Sequence, residues 1–188
     1  MTPTPARATP SARPSRPGVV PADGFEVLDE AHRAVVAHLG LLAELIDRLD
    51  RHGIDARASE LARDIAAFFN GHARDHHAEE ERRVFPGLLA DGSEELVQHV
   101  RRLQQDHGWL EEDWLELAPQ LDAVANGYNG YDLALLQHAL PVFTELYREH
   151  IALEESLIYP EAKRRLAAAQ AAARQRLGET PPTGTSPA

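Results

Sequence analysis

One eleven-residue pattern occurs twice in this chain, and it restricts the fold more than any other feature. Residues 76–86 read His76-His77-Ala78-Glu79-Glu80-Glu81-Arg82-Arg83-Val84-Phe85-Pro86, and residues 150–160 read His150-Ile151-Ala152-Leu153-Glu154-Glu155-Ser156-Leu157-Ile158-Tyr159-Pro160. Both copies spell His-x3-Glu-Glu-x3-aromatic-Pro, with their histidines 74 residues apart. A second match lies upstream, where Asp29-Glu30-Ala31-His32 aligns with Gln104-Gln105-Asp106-His107 at a separation of 75 residues. Two independent spacings that agree this closely predict an internal duplication. Each half supplies one lone histidine and one His-x3-Glu pair.

The pattern sits on helical periodicity. After Asp23 and Gly24, apolar residues recur at helical intervals up to a stop at Gly53. A second helix is expected from about Ala56 to Leu89, and a third from Ser93 to near Ala125. The turn sequence NGYNGY follows, and a fourth helix is expected from about Asp132 to Tyr159, kinked or restarted at Pro141. Beyond Pro160 an Ala- and Arg-rich stretch predicts one further helix, and no segment alternates with the period of a strand. The fold class is therefore all-α: an up-down-up-down four-helix bundle built from a duplicated helical hairpin. The bundle and its C-terminal extension occupy residues 23–177. Residues 1–22, with six prolines, three arginines and no acid, are expected to form a disordered tail, as are residues 178–188.

A helix turns about 100° per residue, so with His76 at 0° the apolar stripe of its helix centres near 40°, where Glu80 also lies. The fourth helix repeats this, with Glu154 on the centre of its own stripe. An unpaired carboxylate buried there costs several kcal/mol or takes up a proton. A shared cation removes the penalty for both glutamates. Imidazole with carboxylate suits borderline divalent metals such as iron, and two facing carboxylates can bridge two ions. Of the neighbouring histidines, either His77 or His72 can supply a fifth nitrogen. Their fourth-helix counterparts are Ile151 and Leu146, so such a ligand makes the site asymmetric.

Composition narrows the classes of function. There are no cysteines, which excludes disulfides, thiolate metal sites and cysteine nucleophiles and fits a reducing cytoplasm. No apolar run is long enough for a bilayer and no apolar leader opens the chain, so neither a membrane location nor a secretory signal is expected. The net charge of -11 repels a phosphate backbone, so nucleic acid is not an expected partner. Ten histidines is an excess, and the duplicated motif gives part of it a location.

Taken together, a lone His, His-x3-Glu-Glu, a second lone His and a second His-x3-Glu-Glu on four helices resemble the hemerythrin-like family, the HHE cation-binding domains, over about residues 25–160. The resemblance implies a non-haem di-iron centre that binds dioxygen or nitric oxide, or senses oxygen or iron. It implies that His32, His76, His107 and His150 are terminal ligands and that Glu80 and Glu154 bridge. The oxygen-carrying members use two histidines one turn apart on the third helix and His-x4-Asp on the fourth. Here Leu103 stands one turn before His107, and the fourth helix has His-x3-Glu. This points away from simple oxygen transport and toward bacterial and regulatory members. A stand-alone sensor would need a separate protein to report to.

A di-iron oxidase or peroxidase is the alternative, but ferritin-like sites use Glu-x-x-His and more carboxylates. A closed structural zinc site is a third reading, and six ligands for two ions leave too many positions open for it. Glu81 and Glu155 fall about 140° from their histidines and are expected to face outward, pairing with arginine. Asp106 and Asp29 are expected to orient imidazoles from behind. Glu111 is expected at the surface, as are His38, His52, His99 and His138. Phe85-Pro86 and Tyr159-Pro160 read as packing and helix-ending elements, and Trp114 shares the face of His107.

Overall fold

The computed structural model describes residues 24–177, so both terminal tails lie outside the described residues. Helix α1 spans Gly24–His52, α2 Ala56–Asn70, α3 His72–Arg83, α4 Phe85–Asp91, α5 Glu94–Ala125 and α6 Leu133–Leu153. One π-helical turn, Glu154–Ile158, then leads into α7, Tyr159–Arg176. No strand occurs among the described residues.

The bundle consists of four arms: α1, the α2–α3 pair, α5 and α6. Consecutive arms touch, and α6 closes back on α1. Burial shows their alternating direction. Along α1 the inward residues run from Leu28, in one apolar cluster, through His32 to Val35, in the other. Along the second arm the order is reversed: Ala73, then His76 and Glu80, then Val84. α5 follows α1 with Leu103, His107 and Leu110, and α6 follows the second arm with Tyr147, His150 and, in the π-helical turn, Glu154 and Ile158. The chain is an up-down-up-down four-helix bundle. A polar layer crosses it between a large apolar cluster around Leu42, Ile65 and Leu117 and a smaller one around Phe85, Val100 and Ile158.

The second arm is not the single helix expected over residues 56–89. It breaks at Gly71, whose N–H bonds to Phe68 O at 3.3 Å, and again at Val84. Glycine is a weak interior helix residue. Pro86 brings no N–H for the carbonyl four residues back, so the helix restarts with proline in its first turn. The fourth arm does not break at Pro141, which stays inside α6 on its exposed side. The carbonyl it leaves without a partner belongs to exposed Gln137 and can bond to water. Nor does Tyr159-Pro160 end a helix, because Pro160 occupies the first turn of α7.

The two halves join through only Gly92 and Ser93. A Cβ on Gly92 would lie 2.3 Å from Leu88 O, so this close approach requires glycine. The Ser93 hydroxyl accepts from Leu96 N at 3.3 Å and caps α5. We expect Ser93→Ala to lower stability by about 1 kcal/mol, read as a shifted urea midpoint with an unchanged slope. No change in midpoint would mean that the cap does not hold this junction.

Candidate metal centre

The polar layer contains His32, His76, Glu80, Asp106, His107, His150 and Glu154, all buried, with Glu80 and Glu154 at 0% exposure. They converge because a residue and the one four positions later share a helix face. His76 Nε2 lies 3.5 Å from Glu80 Oε2, and His150 Nε2 lies 3.3 Å from Glu154 Oε2. The lone histidines face the same carboxylates from the neighbouring arms. His32 Nε2 is 3.1 Å from Glu154 Oε2, and His107 Nε2 is 3.4 Å from Glu80 Oε2. Each lone histidine thus meets the inward glutamate of the opposite half.

The donor atoms form overlapping groups. His32, His76, Glu80 and Glu154 each offer an atom within 4.8 Å of all the others, and so do Glu80, His107, His150 and Glu154. Both glutamates belong to both groups. His77, His107 and His150 form a third, overlapping group. His77 is half-buried, with its ring stacked on His107 at 4.1 Å. The structure therefore gathers all seven candidate ligands into one layer. His72, the other candidate for a fifth nitrogen, is exposed and stacks on Phe68.

The layer has a large unmet demand for a partner. Eleven buried side-chain nitrogen and oxygen atoms lack a hydrogen-bond partner among the described residues, and every one belongs to His76, His77, Glu80, Asp106, His107, His150 or Glu154. An orphaned buried polar group costs about 1–3 kcal/mol, so a cluster of this size is not an ordinary satisfied core. Neutral imidazoles with carboxylates are the donor set that a divalent cation satisfies.

For three of the histidines the electrostatics agree. Burial lowers His76 to about 4 and pushes His77 well below the usual imidazole range, with the His107 charge acting in the same direction on His77. Burial lowers His150 as well. These rings are thus held neutral, the form that binds metal. Burial, then the Glu80 charge, raises Glu154 well above the carboxylate range. Glu80 is buried too, yet its contact with His107, itself raised by the Glu80 and Glu81 carboxylates against its burial, holds it below that range. Without a cation the two facing carboxyls differ in ionisation, because like charges this close resist ionising together.

Several functional contacts were not expected from the sequence. Glu81 and Glu155 are exposed, as predicted, but they pair with no arginine among the described residues. Glu81 Oε1 lies 2.9 Å from His107 Nδ1, and Glu155 Oε1 lies 3.0 Å from His32 Nδ1. Each outward glutamate thus holds the far nitrogen of the other half's lone histidine and turns its Nε2 toward the inward carboxylates. Asp106 is buried with Oδ2 3.8 Å from His150 Nδ1, whereas Asp29 instead meets Lys163 at 3.4 Å.

Tyr159 is more than a packing residue. Its hydroxyl donates to Glu80 Oε1 and lies 3.2 Å from His32 Nε2. Nine residues of regular helix would carry Tyr159 about 180° from His150; the π-helical turn between them changes that register. The signal available in the sequence was the repeat itself, since both copies keep a second glutamate and an aromatic.

The remaining candidates sit where surface or packing residues belong. Glu111 pairs with Arg74 at 2.7 Å. Trp114 is buried, with Nε1 donating to Asn70 Oδ1 at 2.8 Å. His38 and His138 each bond through Nδ1 to a carbonyl one turn earlier, of Ala34 and Ala134. Among the described residues no helix is long and apolar enough to cross a membrane.

A buried His/Glu layer across four helices defines a cation-binding bundle. The family model of the hemerythrin HHE cation binding domain matches residues 23–162, and the chain belongs to this family. An uncharacterized protein of Haemophilus influenzae is 30% identical over 133 residues, which cover 71% of this chain and 75% of that protein. No solved structure matches.

Proposed function

We propose that this chain is a non-haem di-iron protein that binds or senses a small diatomic ligand, dioxygen or nitric oxide, or reports iron itself. The observation that carries this reading is the sharing of Glu80 and Glu154 between two four-donor groups. Two carboxylates common to two adjoining groups are what a pair of bridged ions requires. His32 and His76 would hold one ion, and His107 and His150 the other, with His77 as an additional donor on the second side. When bound, such an iron pair supplies reversible electron transfer and coordination positions for a diatomic molecule.

The residues around these groups perform the remaining tasks. Glu81 and Glu155 fix the rotation of His107 and His32. The two apolar clusters exclude bulk water from the layer. A cavity of about 350 Å³, lined by His77, Ala78, His107, Gly108 and Trp114 among others, leads from the surface toward the His77 side and suits a small ligand. The His-rich donor set, with few anions, supports binding over hard oxidation chemistry. The cysteine-free composition supports a cytoplasmic setting, and the charge of -11 argues against nucleic acid as a partner.

The test is metal analysis after anaerobic loading with ferrous iron, followed by exposure to air. We expect about two irons per chain and near-ultraviolet absorption from an oxo bridge. Zinc alone, or a single ion per chain at saturation, would overturn the di-iron reading. Sustained turnover of added peroxide would move the protein into the oxidase and peroxidase class.

A further inference from the structure

The two halves of the metal layer are not identical. His77 has Ile151 as its counterpart in the repeat, and Tyr159 has Phe85. The aromatic pair is placed alike: Phe85 stacks on His107 at 5.7 Å and 17°, and Tyr159 stacks on His32 at 5.3 Å and 9°. Relative to Phe85, Tyr159 adds only the hydroxyl. That hydroxyl is buried and meets two residues of one group, His32 through Nε2 at 3.2 Å and Glu80 through Oε1.

The position of this oxygen separates a ligand from a supporting residue. Supporting residues bond to the imidazole nitrogen that faces away from the ion, as Glu155 does at His32 Nδ1. Tyr159 instead touches Nε2, the nitrogen turned toward the inward carboxylates. Two donors about 2.1 Å from one ion and at right angles to each other are about 3 Å apart. The Tyr159 oxygen stands at that separation from His32 Nε2. Its separation matches that of a neighbouring donor in the same coordination shell.

We propose that Tyr159 is a protein ligand, as phenolate, of the cation held by His32 and His76. For the identity of the ion as iron, this rests on the di-iron reading above. On binding, the phenol O–H bond breaks, an oxygen–metal bond forms and the proton passes to solvent, with no change of oxidation state. With both glutamates shared, each ion then has five protein donors: His32, His76 and Tyr159 complete one set, and His77, His107 and His150 the other. The halves reach equal ligand numbers with different chemistry. The anionic oxygen favours the ferric state at its own end, so the two ions differ in potential.

The experiment is to load the full chain anaerobically with ferrous iron, oxidise it with dioxygen, count the iron, and record visible absorption and resonance Raman spectra. Wild type is expected to show a phenolate-to-ferric charge-transfer band with enhanced tyrosine ring modes. Tyr159→Phe is expected to lose the band and the modes while keeping its iron, and Phe85 shows that a phenylalanine ring packs in this setting. Tyr147→Phe, which alters a buried tyrosine beside His77, is expected to keep both. Two irons per chain without a tyrosine signature in wild type, or a signature that survives in Tyr159→Phe, overturns the Tyr159 assignment and leaves the di-iron reading intact. Failure to hold two irons overturns that reading instead, and this assignment with it.

Discussion

Replacing Glu80 is expected to lower bound iron from about two ions per chain to fewer than one, because Glu80 serves both donor groups and its loss removes a charged donor from each. Glu80→Ala also opens a cavity, so Glu80→Gln, which keeps the volume and a partner for Tyr159, is the sharper variant and is expected to show the same loss. Glu81 is adjacent in sequence and different in role. Its carboxylate holds His107 Nδ1 at 2.9 Å from an exposed position. Glu81→Ala should retain full occupancy at saturating metal while weakening affinity by about 10- to 100-fold, the usual cost of losing a carboxylate behind a ligating imidazole. Glu155→Ala should behave likewise through His32. The measurement is a metal titration under a competing chelator. Full iron occupancy in Glu80→Gln, or equal losses at positions 80 and 81, would falsify the sharing of Glu80.

Glu154→Met is expected to stabilise the chelated protein by about 1–4 kcal/mol while abolishing stabilisation by metal. A buried, uncompensated ionisable group replaced by a hydrophobe of similar volume commonly gains that much. Neither oxygen of Glu154 has a hydrogen-bond partner among the described residues. Wild type should instead gain stability on adding a divalent cation, by about 4 kcal/mol at a thousandfold excess over the dissociation constant.

The pH dependence follows from the direction of the Glu154 shift. Burial and the Glu80 charge raise its folded-state pKa above its unfolded value. Its contribution is therefore fully present below the ordinary carboxylate range and is lost as pH rises toward the folded value. The difference in melting temperature between Glu154→Met and chelated wild type should widen as pH rises above about 4.3, the unperturbed glutamate value. A constant difference, or a variant less stable than wild type at neutral pH, would show that Glu154 is not an uncompensated buried acid.

The duplicated motif, together with the helical periodicity and the short connections, was enough to predict the bundle, its alternating direction and the inward position of His76, Glu80, His150 and Glu154. These are local consequences of helical rotation: four residues make about one turn, so each His–Glu pair lies on a single face however the helices are arranged. The breaks at Gly71 and Val84 could also be suspected from glycine and proline chemistry, although the periodicity alone predicted an unbroken helix. His77 and His72 were both candidates in the sequence, with His77 the nearer of the two to the centre of the apolar stripe. Packing separates them, because α5 brings His107 against His77 while His72 is exposed at the start of α3.

The repeated Glu-Glu and aromatic positions could be read from the chain, but their roles could not. Glu81 reaches His107 across 26 residues, Glu155 reaches His32 across 123, and Tyr159 reaches Glu80 across 79. No period along one helix encodes such distances. They depend on which arms are neighbours and on the depth at which each arm sits. Tyr159 depends further on a π-helical turn that departs from regular rotation. The inward stripe of each helix follows from the geometry of its own backbone, whereas the contacts that orient the histidines arise when side chains from opposite halves meet in the packed bundle.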